Sequence, residues 1–365
     1  GLFFKNFEIE FGWSRTLLSS SMSIAFLISG VLAFFAGHMS DRFGPRLVLI
    51  VTGLVGSTGY FLLSQITAPW QLFVVFGLFI GLGLATHDVV TLSTMAKLFT
   101  KRRGIMTAVV KVGTATGQMS VPPFAAFLIA LYDWRLALMI LGIGAAVVLV
   151  VAALLMKSPV ASSSSGAPID VPGTTFIDAR KSSNFWMICA IQFSFFITLS
   201  TIPLHIVIHG MDLGMTPAMA ASLLSVMGGA SIVGRLGVGG LVDRIGGRRA
   251  LIFCFVPLII SLLAFLSIST PWILFVGVAV YGIGHGGFFT VTSPTIAQYF
   301  GLKAHGKIFG FVLFFGMAGG ACGPILAGRI FDVTNSYGPA FMTLAGMAAV
   351  GMLLAWRLPA ASSAN

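Results

Sequence analysis

Residues Gly228–Arg249 read GGASIVGRLGVGGLVDRIGGRR. The stretch is apolar and glycine-rich, holds a single arginine, Arg235, within its apolar part, and ends in the charged run Asp243-Arg244-Ile245-Gly246-Gly247-Arg248-Arg249. A matching ending, Asp41-Arg42-Phe43-Gly44-Pro45-Arg46, stands 202 positions earlier, again directly after an apolar segment. Arg235 lies eight residues before Asp243, or ~12 Å along a helix that rises 1.5 Å per residue. That is close to the middle of a hydrocarbon layer of about 30 Å. A guanidinium at such depth is costly unless it faces water, a partner or a ligand. An anion is its natural counterpart.

Composition says how to read the flanks. The chain is 57% hydrophobic and 8% charged, with a mean hydropathy of +1.00, whereas soluble domains carry about 25% charged residues. Apolar runs of about 20 residues recur throughout, so the chain is an all-α polytopic membrane protein embedded in a lipid bilayer. A net charge of +11 could suggest nucleic acid, but the placement of the charges argues against it. Residues such as Arg42, Arg46, Lys101, Arg102, Arg103, Lys157, Arg244, Arg248, Arg249, Lys303 and Arg357 fall in alternate loops or the C-terminal tail, while Lys5, Arg15, Arg135 and Arg329 fall on the other face. The bias puts the charged loops, the central linker and the C-terminus in the cytoplasm of a cell membrane, and leaves no aromatic-interleaved basic surface for DNA or RNA. Cys189, Cys254 and Cys322 each sit in an apolar segment without metal-ligand spacing, so neither a disulfide nor a metal site is expected.

The repeat organises the chain. Thr67-Ala68-Pro69-Trp70 recurs as Ser269-Thr270-Pro271-Trp272 at the same offset. Helices are expected at about 14–38, 47–65, 71–96, 104–131 and 135–156, and again at about 185–208, 217–240, 249–268, 273–298, 306–330 and 338–358, with Ser14 as an N-cap. Gly1–Phe7 reads as the tail of a first helix that is largely missing. Residues 157–184, rich in Ser, Pro and Gly, form a cytoplasmic linker, with a weakly signalled amphipathic piece near Phe176–Lys181. Residues 1–156 and 185–365 are then the N- and C-terminal halves, two six-helix units in pseudo-twofold repeat, which is a transporter architecture.

The paired turns resemble the loop motif G-x-x-x-D-R-x-G-x-R of the major facilitator superfamily, as Gly37…Asp41-Arg42…Gly44…Arg46 and Gly239…Asp243-Arg244…Gly246…Arg248. Within it, Gly1–Arg15, Lys101–Gly117 and the helix containing Arg235 resemble the monocarboxylate transporter family and its prokaryotic relatives. The resemblance implies that Arg235 is a substrate-binding arginine. It also implies that Asp41, Arg42, Arg46, Asp243, Arg244 and Arg248 belong to a conformational switch at the cytoplasmic face. The sequence departs from the family pattern at Ser231, where many animal members place an acid, and at Lys111, where a small or neutral residue is usual.

The same depth arithmetic picks out the remaining candidates. Lys111 lies eight residues past Arg103, Asp88 nine before Lys97 with His87 beside it, and His285 thirteen beyond Trp272, all at mid-depth. Asp88 is the one acid within an apolar helix, so it is the candidate proton carrier; a static pair with Lys111 is the alternative reading. Lys111, His87, Tyr281 and His285 are candidate substrate contacts, with His87 also a candidate proton relay, Gln192 a weaker polar candidate, and Phe314 and Phe315 candidate cavity walls. Glycines 104, 113, 117, 316, 319, 320 and 323 are expected to let helices approach closely. No G-x-x-x-x-G-K-[ST] is present, so no nucleotide cofactor is expected and the proton gradient is the energy source. The chain is therefore expected not to be an enzyme. It reads as a proton-coupled symporter of a small monocarboxylate, resembling the lactate and pyruvate carriers. A dicarboxylate exchanger and a membrane anion receptor that moves nothing are the alternatives.

Overall fold

The computed structural model describes residues 2–98, 103–155, 173–267, 270–301 and 303–359. Among them, 11 helices are long and apolar enough to cross a membrane. A short helix, α1 (Leu2–Phe11), precedes α2 (Arg15–Phe43), α3 (Pro45–Leu63), α4, α5 (Arg103–Leu131) and α6 (Trp134–Leu155). The second set is α7 (Ser183–Asp212), α8 (Pro217–Ile245), α9 (Gly247–Ala264), α10 (Pro271–Phe300), α11 (His305–Thr334) and α12 (Gly338–Arg357). Helix α4 is built of three pieces end to end, Pro69–Val74, a π-helical turn at Val75–Ile80, and Gly81–Leu98. The weakly signalled amphipathic piece is real: Phe176–Lys181 is helical, capped by Thr175, and packs Phe176 edge-on against Phe185 and Phe311.

The ends of these helices follow from local chemistry. Ser14 accepts from the Leu17 amide at 3.2 Å and so caps α2 as expected, and Thr216 does the same for α8 through the Met219 amide at 3.3 Å. The charged turns are sharper than the sequence suggested. Helix α2 continues through Asp41 to Phe43 and α8 through Asp243 to Ile245, so the motif acids lie in the last helical turn and not in a loop. Each break is then a single glycine, Gly44 at φ 82° and ψ 149°, and Gly246 at φ 79° and ψ 157°. This region is essentially closed to residues with a Cβ, and a new helix starts at the next residue.

The repeat also governs packing between the two sets. Helix α2 packs along α11, and α5 packs along α8. Shifting by the repeat carries α2 onto α8 and α5 onto α11, so one interface has been built twice. Small residues hold it: a Cβ on Gly228 of α8 would stand 2.7 Å from the Ala115 carbonyl of α5, and one on Gly30 of α2 would stand 2.9 Å from Met317 of α11. The expectation for the glycines of α5 fails at two positions. Gly113 and Gly117 face open space, whereas Gly316, Gly319 and Gly323 of α11 pack against α7 and Gly320 meets Phe26.

One face of the bundle is drawn together by polar contacts between the sets. Arg15 at the start of α2 is almost fully buried and forks onto Asp212 at the end of α7, with Nη1–Oδ2 2.7 Å and Nη2–Oδ1 3.0 Å. Its Nη1 also donates to the Tyr337 hydroxyl at 3.1 Å, and the guanidinium lies 3.9 Å over the Phe331 ring. Tyr337 continues to His205 Nδ1 at 3.0 Å, and His205 Nε2 reaches the Pro324 carbonyl at 3.3 Å and Ser19 Oγ at 3.2 Å. Asp332 of α11 accepts from the Thr16 amide at 3.1 Å, in the first turn of α2 where a carboxylate complements the helix dipole. Beside this clasp, Arg135 and Trp134 donate to Glu10 and hold its carboxyl below the usual carboxylate range.

Gly246→Ala has room for its methyl, with only Gln298 at 3.5 Å. Backbone strain alone should therefore lower stability by about 1–3 kcal/mol, read as a lower thermal midpoint in detergent. Asp212→Asn removes the forked partner of the buried Arg15 and leaves it only the longer contact to Glu8 at 3.5 Å. A cysteine placed at the buried Ser19, with the native cysteines replaced, should then react about tenfold faster with a maleimide added on the Arg15 face.

Candidate functional site

Arg235 is where α8 and α10 come closest. A Cβ on Gly234 would collide with the Ile283 carbonyl and one on Gly286 with the Ser231 carbonyl, while one on Gly282 would stand 2.6 Å from the Met227 carbonyl. Near contact of the two backbones, together with α5 packed over Gly228, closes the space around Arg235. The side chain is 1% exposed. Neither its Nε nor its Nη1 has a hydrogen-bond partner. It turns neither to lipid nor onto main-chain oxygens through these atoms; the guanidinium instead stands 4.9 Å over the ring of Phe289.

The second buried cation is committed. Lys111 of α5 is 4% exposed and forms an ion pair with Asp88 of α4. Its ammonium stands 5.0 Å over the same Phe289 ring. Asp88 is also close enough to attract Arg235 electrostatically. The structure thus brings together Arg235, Lys111 and Asp88 around one aromatic ring. Two cations and one carboxylate leave a net charge of +1 when Asp88 is ionised.

Tyr281 and His285 join from α10. His285 lies with its ring 5.7 Å from that of Tyr281 and 5.5 Å from that of Phe289, and its Nδ1 has no hydrogen-bond partner. The buried Tyr281 hydroxyl lies near Thr198 without forming a hydrogen bond of ordinary geometry, and the Ser231 hydroxyl is likewise unsatisfied. Buried polar atoms are overwhelmingly paired in folded proteins. Four neighbouring side chains on α8 and α10 that break this rule therefore point to a polar guest. Next to them, a pocket is lined by Asp88, Lys111, Gln192 and Thr292 on its polar side and by Phe195, Phe196, Phe288, Phe289, Phe309 and Leu313 on its apolar side. Phe314 and Phe315 are not among the walls. Gln192 accepts from Thr292 at 3.2 Å, so its polar group is partly used within the protein.

The remaining candidates lie elsewhere or outside the described side chains. Those of His87, Asp41, Arg42 and Asp243 are not among the ones described. Arg46 donates from Nε to the Ala153 carbonyl at 3.1 Å and from Nη2 to Leu154, so it caps the end of α6; Arg244 is exposed and Arg248 half-buried. Among the described residues, no group of three or more His, Cys, Asp or Glu could hold a metal ion. Sequence reasoning missed the Arg15–Asp212 clasp altogether, having counted Arg15 only among the basic residues of that face. The available signal was that both residues end helices on the same face, one in each set.

The family profile described as Major Facilitator Superfamily matches residues 2–268 and 210–365. The chain belongs to this superfamily. It is an integral membrane transporter and not an enzyme. It is similar to "Monocarboxylate transporter 7" of Homo sapiens, 26% identical over 424 residues that cover 97% of this chain and 81% of that protein. It is also similar to "Monocarboxylate transporter 13" of Rattus norvegicus, 27% identical with 98% and 84% covered. Among solved structures, a point mutant of the nucleoside transporter NupG superposes with a TM-score of 0.72 at 14% identity, covering 96% of this chain and 92% of that one. That likeness concerns the fold alone.

The transporter should depend on the Asp88–Lys111 pair for stability. Asp88→Asn strands a buried ammonium, although the 27% exposure of the Asp88 side chain softens the effect. A loss of about 1–3 kcal/mol is expected. Adding Lys111→Met should restore most of it, a non-additivity that a double-mutant cycle in detergent measures directly.

Proposed function

We propose that this transporter carries small monocarboxylates in symport with protons, by alternating access between the two repeated interfaces. The observation that carries the reading is the Arg235 guanidinium, buried with two donors uncommitted. It can take a carboxylate through a two-pronged, charge-assisted contact. The free hydroxyls of Ser231 and Tyr281 and the free nitrogen of His285 are available for the substrate's other oxygens, Lys111 stands over the same ring, and His87 is kept as a candidate by its place next to Asp88 in the chain. The relatives named as monocarboxylate transporters support the same substrate class.

Charge balance favours a monoanion. With Lys111 held by Asp88, one positive charge is left over, and one carboxylate neutralises it. The dicarboxylate exchanger needs two free cations, which this arrangement offers only once Asp88 is protonated. A proton on Asp88 removes the negative charge that competes for the two cations, so the site then holds an anion more tightly. By reciprocity, a bound anion favours the proton. Asp88, with His87 beside it, is thus the coupling site, and no cofactor is needed beyond the proton gradient.

Residues 1–156 and 185–365 are the units that rock, joined by 157–184. Asp41, Arg42, Arg46, Asp243, Arg244 and Arg248 act at the face where the motif glycines break the helices. The basic bias of that face makes it cytoplasmic in a cell membrane. The Arg15 clasp holds the other face shut while it is made.

Uptake of short mono- and dicarboxylates into proteoliposomes at two pH values tests this. Wild type should accumulate monocarboxylates, and more strongly with the outside acidified. Arg235→Lys should lose about 10- to 100-fold in uptake efficiency, the worth of one or two charge-assisted hydrogen bonds in a buried site. Asp88→Asn should flatten the pH dependence. Binding without flux would leave only an anion receptor, and countertransport of dicarboxylates indifferent to pH would leave the exchanger.

A further inference from the structure

Arg235 and Asp88 are neighbours of opposite charge, and in a low-dielectric interior they should close on one another. Asp88 instead pairs with Lys111, while Nε and Nη1 of Arg235 bond to nothing. Both cations instead approach the ring of Phe289, Arg235 at 4.9 Å and Lys111 at 5.0 Å. The face of an aromatic ring attracts a cation through its quadrupole without accepting a directed hydrogen bond. It therefore stabilises a buried guanidinium and leaves its donors unused. The ring is itself fixed from two sides, with Phe195 perpendicular to it at 6.0 Å and His285 at 5.5 Å, and it lines the pocket together with Asp88 and Lys111.

We infer that Phe289 is a positioning residue for the anion site: its ring stands in for the missing counter-charge of Arg235 in the empty carrier and keeps the guanidinium from collapsing onto Asp88. The inference rests on the proposed anion-binding role of Arg235 and says how that role survives when no substrate is bound. Without the ring, Arg235 closes on Asp88, and a substrate must first displace that carboxylate. Protonating Asp88 does the displacing, so the defect depends on pH in a way that a loss of packing does not.

The test is uptake of lactate or pyruvate into proteoliposomes by the full chain as wild type, Phe289→Leu and Phe289→Tyr across a pH series. Phe289→Leu should raise KM about tenfold near neutral pH, the effect of losing a desolvated cation–π contact, with the gap closing as the pH falls. Phe289→Tyr keeps the ring and should stay within about threefold of wild type. A fluorinated phenylalanine at this position, equal in shape but poorer in π-electron density, should behave like leucine. A pH-independent change in KM, or full activity with the fluorinated ring, overturns the inference. A structure of Phe289→Leu decides the matter whatever the substrate is: Arg235 bonded to Asp88 supports the inference, and Arg235 still unbonded refutes it. Should wild type transport no carboxylate at all, the proposed function fails while that structure still judges Phe289.

Discussion

A fully buried guanidinium with unused donors is the constraint around which this transporter is arranged. Burying an isolated cation costs several kcal/mol even after relaxation, so the surroundings must offset the charge without saturating it. Two devices do so here. Phe289 supplies a π face at 4.9 Å, and Asp88 supplies a negative charge close by that is bonded to Lys111 instead. The result is a charged cluster, positive by one when Asp88 is ionised, beside an aromatic-walled pocket and short of the kind of group a carboxylate provides.

That pocket depends on close helix packing, which depends in turn on glycine. Gly234, Gly282 and Gly286 bring α8 and α10 to near backbone contact, and Gly228 admits α5. Any side chain at these positions would hold the helices apart and let water or lipid reach Arg235. The repeat supplies the frame, since α2 with α11 and α5 with α8 are two copies of one interface. Within this symmetric frame the chemistry is asymmetric: the mid-depth arginine and its tyrosine and histidine belong to α8 and α10, the acid and the lysine to α4 and α5. Such a division lets a relative movement of the two sets change the distance between Arg235 and Asp88, which is what coupling an anion to a proton requires.

The clasp around Arg15 adds a second asymmetry, between the two faces. Its forked pair with Asp212 and the chain through Tyr337 to His205 join α2, α7 and the start of α12, and Asp332 of α11 reaches α2 separately. No feature of its repeat partner Pro217 can reproduce it. The pseudo-twofold relation therefore describes the scaffold and not the polar contacts laid on it.

The amino-acid sequence alone determined the membrane class, the number and order of the spanning helices, the internal repeat, and the position of Arg235, Asp88, Lys111 and His285 along their own helices. These are properties of composition and of distance along one helix, and a fixed rise per residue converts spacing to depth. It could not say that Asp88 pairs with Lys111 while Arg235 stays unpaired, because that choice turns on rotation about helix axes and on the separation of helices far apart in the chain. The π-helical turn at Val75–Ile80 alters the phase of α4 ahead of Asp88, and nothing in the pattern of apolar residues announced it. Arg15 looked like one more basic residue at a helix end until folding set it beside Asp212, 197 residues away. Only the tertiary structure decided which charges meet, because charge pairing is settled across helices and depth is settled within one.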